Sequence, residues 1–140
     1  MLRNLDTLIA SMQPELQPGA YVFASVPHDE VIGGDSVIAT FREREGMTVV
    51  MAERAAELAG IDVLFRAAWI TLTVHSDLHA VGLTAAFASA LGEAGISCNV
   101  MAAAYHDHIF VPFEDADRAM DALLKLQRAG MLAASKKPPE

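Results

Sequence analysis

The stretch Phe65 to His75, FRAAWITLTVH, most constrains the fold. Its apolar residues recur with a period of two, which reads as one long strand. Ile70, Leu72 and Val74 fall on one face, and Trp69, Thr71 and Thr73 on the other. A strand of this length needs a sheet, and the flanking elements indicate its kind. HSDLHAVG leads into an alanine-rich helix whose stripe is Leu83, Phe87, Ala90, Leu91 and Ala94. Gly95 caps it, and Ile96 is the usual apolar residue beyond such a cap. Ile96 to Ala104 reads as the next strand, with Ile96, Cys98 and Val100 pointing one way and Ser97, Asn99 and Met101 the other. A turn at Tyr105–Asp107 and a strand at His108–Phe113 come next. The last helix starts at Glu114-Asp115, with Lys125 and Arg128 in its last turn, which complements the helix dipole. Ala116, Ala119, Met120, Leu123 and Leu124 form its buried stripe. Gly130 ends it, and residues 131–140 read as a disordered tail.

The N-terminal half has a related order. Leu5, Leu8, Ile9 and Met12 form the stripe of a short helix over Leu2 to Met12. Pro14, Pro18 and Gly19 then break the chain. Tyr21 to Val26 is a strand stopped by Pro27, and His28 to Ser36 is a loop. Val37 to Arg42 and Met47 to Met51 are strands around the charged turn REREG, and Ala52 to Ala59 is a helix ending at Gly60. Strand, polar turn, strand and acidic-start helix thus occur twice. The second copy, with its preceding strand and helix, reads β-α-β-β-α, a ferredoxin-like pattern short of its last strand. The expected fold is α+β: two intertwined ferredoxin-like units with antiparallel sheets and helices packed on one face. The units span 1–64 and 65–130, and neither buries enough apolar surface alone.

Composition narrows the function. The 140 residues are 53% hydrophobic and 20% charged, which suits a folded chain. A net charge of −8 repels phosphate backbones, so nucleic acid is not an expected partner. The lone Cys98 has no disulfide partner and suits a reducing cytoplasm. No apolar run approaches a membrane span, and Asp6 interrupts the N-terminal apolar stretch. A cytoplasmic protein with no membrane partner is the expectation.

Several short motifs invite chemistry. His106 and His108 flank Asp107, and an HxH on a strand can ligate zinc if a third ligand, such as His75 or His79, converges. The alternative for Asp107 is a hairpin tip accepting backbone N–H bonds. His75-Ser76-Asp77 are adjacent, whereas a working triad converges from separate elements, so Ser76 or Asp77 reads as a helix N-cap. Cys98 reads as a core residue. REREG reads as a solvated turn, and Gly33-Gly34 lacks the lysine of a phosphate loop. Trp69, Met101 and Ser97 mark where sheets or modules could meet, because a ferredoxin-like sheet leaves one face without helices.

VGLTAAFASALGEAGISCNV, followed by YHDHIFVP, resembles an ACT domain, a small βαββαβ regulatory module. Gly82 and Ala90–Ile96 carry the match. YVFASVP, ATFREREGMTVV and ITLTVHSDLHAVGLTAAFA extend it to a bacterial family of tandem ACT domains of unknown function, and more distantly to arginine-sensing ACT proteins. The resemblance implies an effector site where the first strand meets the first helix. On this chain that is His75, Ser76, Asp77, Val81, Gly82 and Leu83. The second strand adds Ile96, Ser97 and Asn99, with Asp107 beside them. A helix N-terminus offers N–H groups to an α-carboxylate, and Asp77 or Asp107 could hold an α-amino group. The first unit lacks the strand–glycine–helix entry, so at most one site per chain is implied outside any dimer interface.

Three functions stand as expectations. The first is a non-catalytic regulatory module that binds an amino acid or related carboxylate. It would have no cofactor, would act as a homodimer or higher homo-oligomer, and would pass its output to a protein partner. The second is a small metalloprotein or enzyme using His75, His79, His106 and His108. The third is a purely structural dimerisation module.

Overall fold

The computed structural model describes residues 5–74 and 82–136. In order, the elements are α1 (Leu5–Ser11), β1 (Gln13–Leu16), β2 (Tyr21–Val26), β3 (Val37–Arg42), β4 (Met47–Ala52), α2 (Glu53–Ala59), β5 (Phe65–Thr73), α3 (Leu83–Glu93), β6 (Asn99–Ala102), β7 (His106–Pro112) and α4 (Ala116–Lys136). A 3-10 turn at Phe113–Asp115 leads into α4. The strands make one seven-stranded sheet, ordered β3-β4-β2-β5-β7-β6, with β1 also on β5. Every pairing in it is antiparallel.

Both ferredoxin-like units are present, and they share β5. In the first unit β2, β3, β4 and α2 are followed by Phe65–Ala67 of β5, paired with Tyr21–Phe23. The second unit runs β5, α3, β6, β7, α4, and its missing last strand is β1. Gln13–Leu16 pairs with Ile70–Thr73, on the edge of β5 that β2 leaves open. The sequence pattern alone reads this proline-containing stretch as a break. A four-residue strand at a sheet edge tolerates Pro14 because its missing N–H need not enter the ladder. α1 and β1 therefore lie N-terminal of residue 64 but pack in the second unit.

The helices cover one face. Leu8 and Ile9 of α1, Phe87 and Leu91 of α3, and Ala119 and Leu123 of α4 pack on Ile70, Leu72, Ile109 and Val111. α2 places Ala56 over Val22, Val49 and Met51. The direct partners Val22 and Arg66 tie these two clusters to the same side of the sheet. A third cluster, Val50, Ala67 and Phe110 with Phe23, Phe65 and Trp69 against it, lies on the face without helices. No helix among the described residues is long and apolar enough to cross a membrane.

β6 and α4 also differ from the sequence reading. β6 begins only at Asn99, because Ile96 turns back after α3: its N–H reaches Leu91 O at 2.9 Å and its side chain enters the core. α4 does not stop at Gly130 and runs to Lys136, so the tail expected from residue 131 is helical for six more residues. Gly130 is instead a notch for α1. A Cβ there would lie 2.7 Å from Ile9 Cγ2 and 3.0 Å from Ala10 N. The close approach offsets the ~1 kcal/mol that glycine costs inside a helix. Gly130→Ala should therefore destabilise the fold by about 1–2 kcal/mol despite alanine's better helix propensity, the overpacking outweighing the gain. Urea denaturation of the two proteins measures this.

Candidate functional site

Antiparallel register puts the triplet His106-Asp107-His108 inside β7. The hairpin turn lies just before it, closed by Ala103 N–H to His106 O at 3.0 Å. Asp107 is therefore not the hairpin tip. It faces Leu72 on one side and Ala102 on the other. By alternation it shares the helix-covered side with Ile109 and Val111, while its two histidines project onto the open face.

The carboxylate of Asp107 is half-buried, and no described residue forms a hydrogen bond or ion pair with it. Burial pushes its pKa above the ordinary carboxylate value, and the neighbouring His108 draws it partly back. It lies near the end of β5 from which the chain leaves for α3. Gly82 begins that helix with φ +96°, a conformation that side-chain-bearing residues rarely adopt. Its missing side chain also faces Leu5, whose Cδ2 would be 3.2 Å from a Cβ. Leu83, the next residue, is buried in the core.

The other candidate positions are spread out. His75, Ser76, Asp77, Val81 and also His79 lie outside the described residues. Ile96 and Ser97 come after the C-terminal end of α3, a helix of eleven residues, so α3 separates them from Gly82. Ile96 is buried at 3% exposure and Ser97 is exposed. Asn99 pairs with Phe110 and belongs to the open face, opposite Asp107. Gly82, Leu83 and Asp107 thus gather at one end of the second unit, while Ile96, Ser97 and Asn99 do not join them. Cys98 packs against the core, and burial raises its thiol pKa, which disfavours the thiolate.

On the open face a polar chain joins Gln17, just after β1, to β5 and β7. Gln17 Nε2 donates to Thr71 Oγ1 at 3.1 Å, and Thr71 Oγ1 lies 3.3 Å from His108 Nδ1. Trp69 Nε1 donates to the same His108 nitrogen at 3.0 Å. An accepting Nδ1 means a neutral imidazole with its proton on Nε2. Burial lowers the pKa of His108, and His106 lowers it further, against a smaller opposing effect of Asp107. Aromatic rings surround the chain: Tyr21 meets Trp69 edge-on at 5.2 Å, and Trp69 stacks on Phe110 at 6.2 Å. Sequence reasoning noticed Trp69 and the histidines but did not join them. The available signal was that an HxH strand paired with a WxT strand puts these side chains on one face. The histidine rings are 6.3 Å apart, and Nδ1 of His106 is buried without a partner. Among the described residues no three His, Cys, Asp or Glu side chains form a metal-sized group.

Comparison with known proteins places this geometry among relatives. An ACT-domain family model matches residues 2–68, and a second ACT-domain model matches 64–125. A Vibrio cholerae protein of unknown function, described as a possible transport protein, is 49% identical; the match covers 88% of this chain and 95% of that one, with a TM-score of 0.76. An Agrobacterium tumefaciens protein is 18% identical over 83% of this chain and 89% of its own, with a TM-score of 0.64. The ligand-free regulatory subunit of aspartate kinase from Thermus thermophilus is 14% identical over 82% of this chain and 95% of its own, at 0.54. The last two likenesses concern the fold alone. No curated protein matches the chain.

The His108 environment has a measurable consequence. Its folded pKa lies below its unfolded value near 6.5, so above that pH the ring is neutral in both states and the full stability is present. As pH falls below about 6.5 the unfolded chain takes up the proton first, and stability is lost. His108→Gln, which keeps an acceptor for Trp69, should flatten the slope of melting temperature against pH between 6.5 and 5. An unchanged slope would show that His108 is not the group responsible.

Proposed function

The chain belongs to the ACT-domain family as a tandem of two modules, and from that membership we propose that it is a regulatory sensor. It binds an amino acid or a similar small carboxylate where β5 passes into α3, and it has no chemistry of its own. The observation that carries this reading is Asp107. A half-buried carboxylate with no described partner costs the fold desolvation free energy that a neutral residue would not. A bound ammonium group offsets that cost at the moment of binding. The α3 N-terminus, entered at Gly82 with φ +96°, supplies peptide N–H groups to the ligand's carboxylate. The site uses Gly82 and Asp107, with His75, Ser76, Asp77 and Val81 as the contributions of the connecting segment. Ile96 and Leu83 contribute through the core that fixes α3, and Ser97 and Asn99 have no part in it.

ACT domains typically serve as small-molecule-binding regulatory modules, and many assemble into oligomers. The sensor reading extends that to this chain: it works as a homo-oligomer whose assembly the ligand stabilises by mass action, and it acts on a partner protein. The aspartate kinase regulatory subunit supports the comparison through its fold.

A thermal-shift screen against the proteinogenic amino acids and related carboxylates tests the reading. One class of ligand should raise the melting temperature of the wild type and fail to raise that of Asp107→Ala. Without ligand, Asp107→Asn should melt above the wild type at pH 7, because it removes the desolvated charge and keeps the shape. Gly82→Val is a poor probe, since φ +96° strains any β-branched residue whether or not a ligand binds. No shift with any compound, or equal shifts in wild type and Asp107→Ala, would sink the assignment.

A further inference from the structure

The edge of β5 that is divided between β1 and β2 has a gap. β1 pairs with Ile70–Thr73 and β2 with Phe65–Ala67, so on that edge Ala68 has no strand partner. The connection from β1 to β2 spans the gap. Gln17 N–H bonds Trp69 O at 2.8 Å, and the Tyr21 hydroxyl bonds Pro18 O at 2.9 Å. Ala68 is also the smallest residue in the helix-side row Arg66, Ala68, Ile70 and Leu72. A cavity of about 450 Å³ remains there, between Leu16, Gly19 and Ala68 and the entry to α4 at Phe113, Glu114 and Asp117. Ligand pockets span about 300–1,000 Å³. A Cβ on Gly19 would meet nothing within 4 Å, so that rim is open.

The charge around this hollow has one sign, and among the described residues no cationic side chain lines it. Two acids nearby each hold an arginine: Glu53 holds Arg66 at 2.5 Å, and Asp115 holds Arg118 at 2.8 Å. Glu114 and Asp117, the two that line the cavity, are exposed, and no described residue forms a hydrogen bond or ion pair with either. Arg66 attracts Glu114 through space but stays bound to Glu53, over the ring of Phe113. Acids at the start of a helix complement its dipole. The dipole does not account for an apolar hollow beside them.

We propose that this cavity binds a small alkylammonium compound that has no carboxylate of its own. Its ammonium group sits at Glu114 and Asp117, which lie one helical turn apart and so face the same side. Its alkyl body rests on Leu16, Ala68 and Phe113, and burying it removes apolar surface of both partners from water. The same two carboxylates repel a ligand carboxylate, which sets this site apart from the one at Gly82 and Asp107. The two also lie at opposite ends of β5. Ala68 is five residues from Thr73, about 17 Å along an extended strand. An occupant here ties the connection between β1, in the second unit, and β2, in the first, to the start of α4. The inference does not rest on the sensor reading.

Titration of the full chain with n-pentylammonium chloride at constant ionic strength, followed by amide NMR, tests this. The amides of Gly19, Ala68 and Asp117 should shift together and saturate. Pentanoate and 5-aminopentanoate, which carry a carboxylate, should bind at least about tenfold more weakly. Glu114→Gln combined with Asp117→Asn, isosteric changes at exposed positions, should raise the n-pentylammonium dissociation constant about tenfold. Glu93→Gln combined with Asp121→Asn removes the same charge from the groove between α3 and α4 and should leave that constant unchanged. Shifts that never saturate, or that both double variants reduce equally, mean only diffuse attraction to an acidic surface and overturn the site. Equal binding of pentanoate overturns the selection by charge. Saturable shifts at Gly82 and Asp107 in place of Gly19 and Ala68 give the amine to the sensor site and overturn this one. A failure here leaves the amino-acid screen of the sensor site standing, because that screen is read through Asp107→Ala.

Discussion

The structure depends on the two-sided pairing of β5. One edge carries β7 from the pair Ala67–Pro112 to the pair Thr73–His106. The other edge is divided: Phe65–Ala67 goes to β2 and Ile70–Thr73 to β1, and Gln17 N–H bonds Trp69 O between them. One strand thus completes both ferredoxin-like units. Its alternation of faces leaves no freedom of register, because a slip of one residue would put Ile70 and Leu72 on the open side and Trp69 under the helices.

That shared strand also explains why the N-terminal segment belongs to the C-terminal unit. The second unit ends in α4 and has no later strand of its own. β1 fills the place, and α1 comes with it onto α4, seated at the Gly130 notch. Arg66, on the helix side of β5, reaches Glu53 at the start of α2 and lies 4.0 Å over the ring of Phe113 at the entry to α4. As a solvent-screened surface pair it adds little to stability. The sheet itself holds the two units together.

Pairing partners give the triplet in β7 two separate chemistries. Asp107 faces the helix layer, where burial raises its pKa and nothing described neutralises it. His108 faces the open side, where burial lowers its pKa and an indole N–H bonds it in the neutral form. Both groups are pushed toward neutrality by desolvation, on opposite sides of one strand. The three residues are adjacent in the chain but do not form one site.

Much of the fold was legible in the residue order. The period of two in FRAAWITLTV gave both faces of β5, and the stripes of α1, α3 and α4 named Leu8, Ile9, Phe87, Leu91, Ala119 and Leu123, which are buried, but also Leu5, which is exposed. Gly82 and Ala90–Ile96 pointed to the family. Local pattern failed where partners decide. Gln13–Leu16 is too short and too rich in proline to read as a strand until β5 offers it an edge. Gly130 reads as a stop signal until α1 needs its missing side chain. Ile96 and Asn99 looked like one strand with one function, yet the turn after α3 sends the first into the core and the second onto the open face. Element types, the fold class and the family came from residue order, because periodicity and capping act over a few neighbouring residues. Which strand completes which unit, and which face each ionisable group meets, depended on contacts between residues far apart in the chain, and these exist only once the sheet has closed around β5.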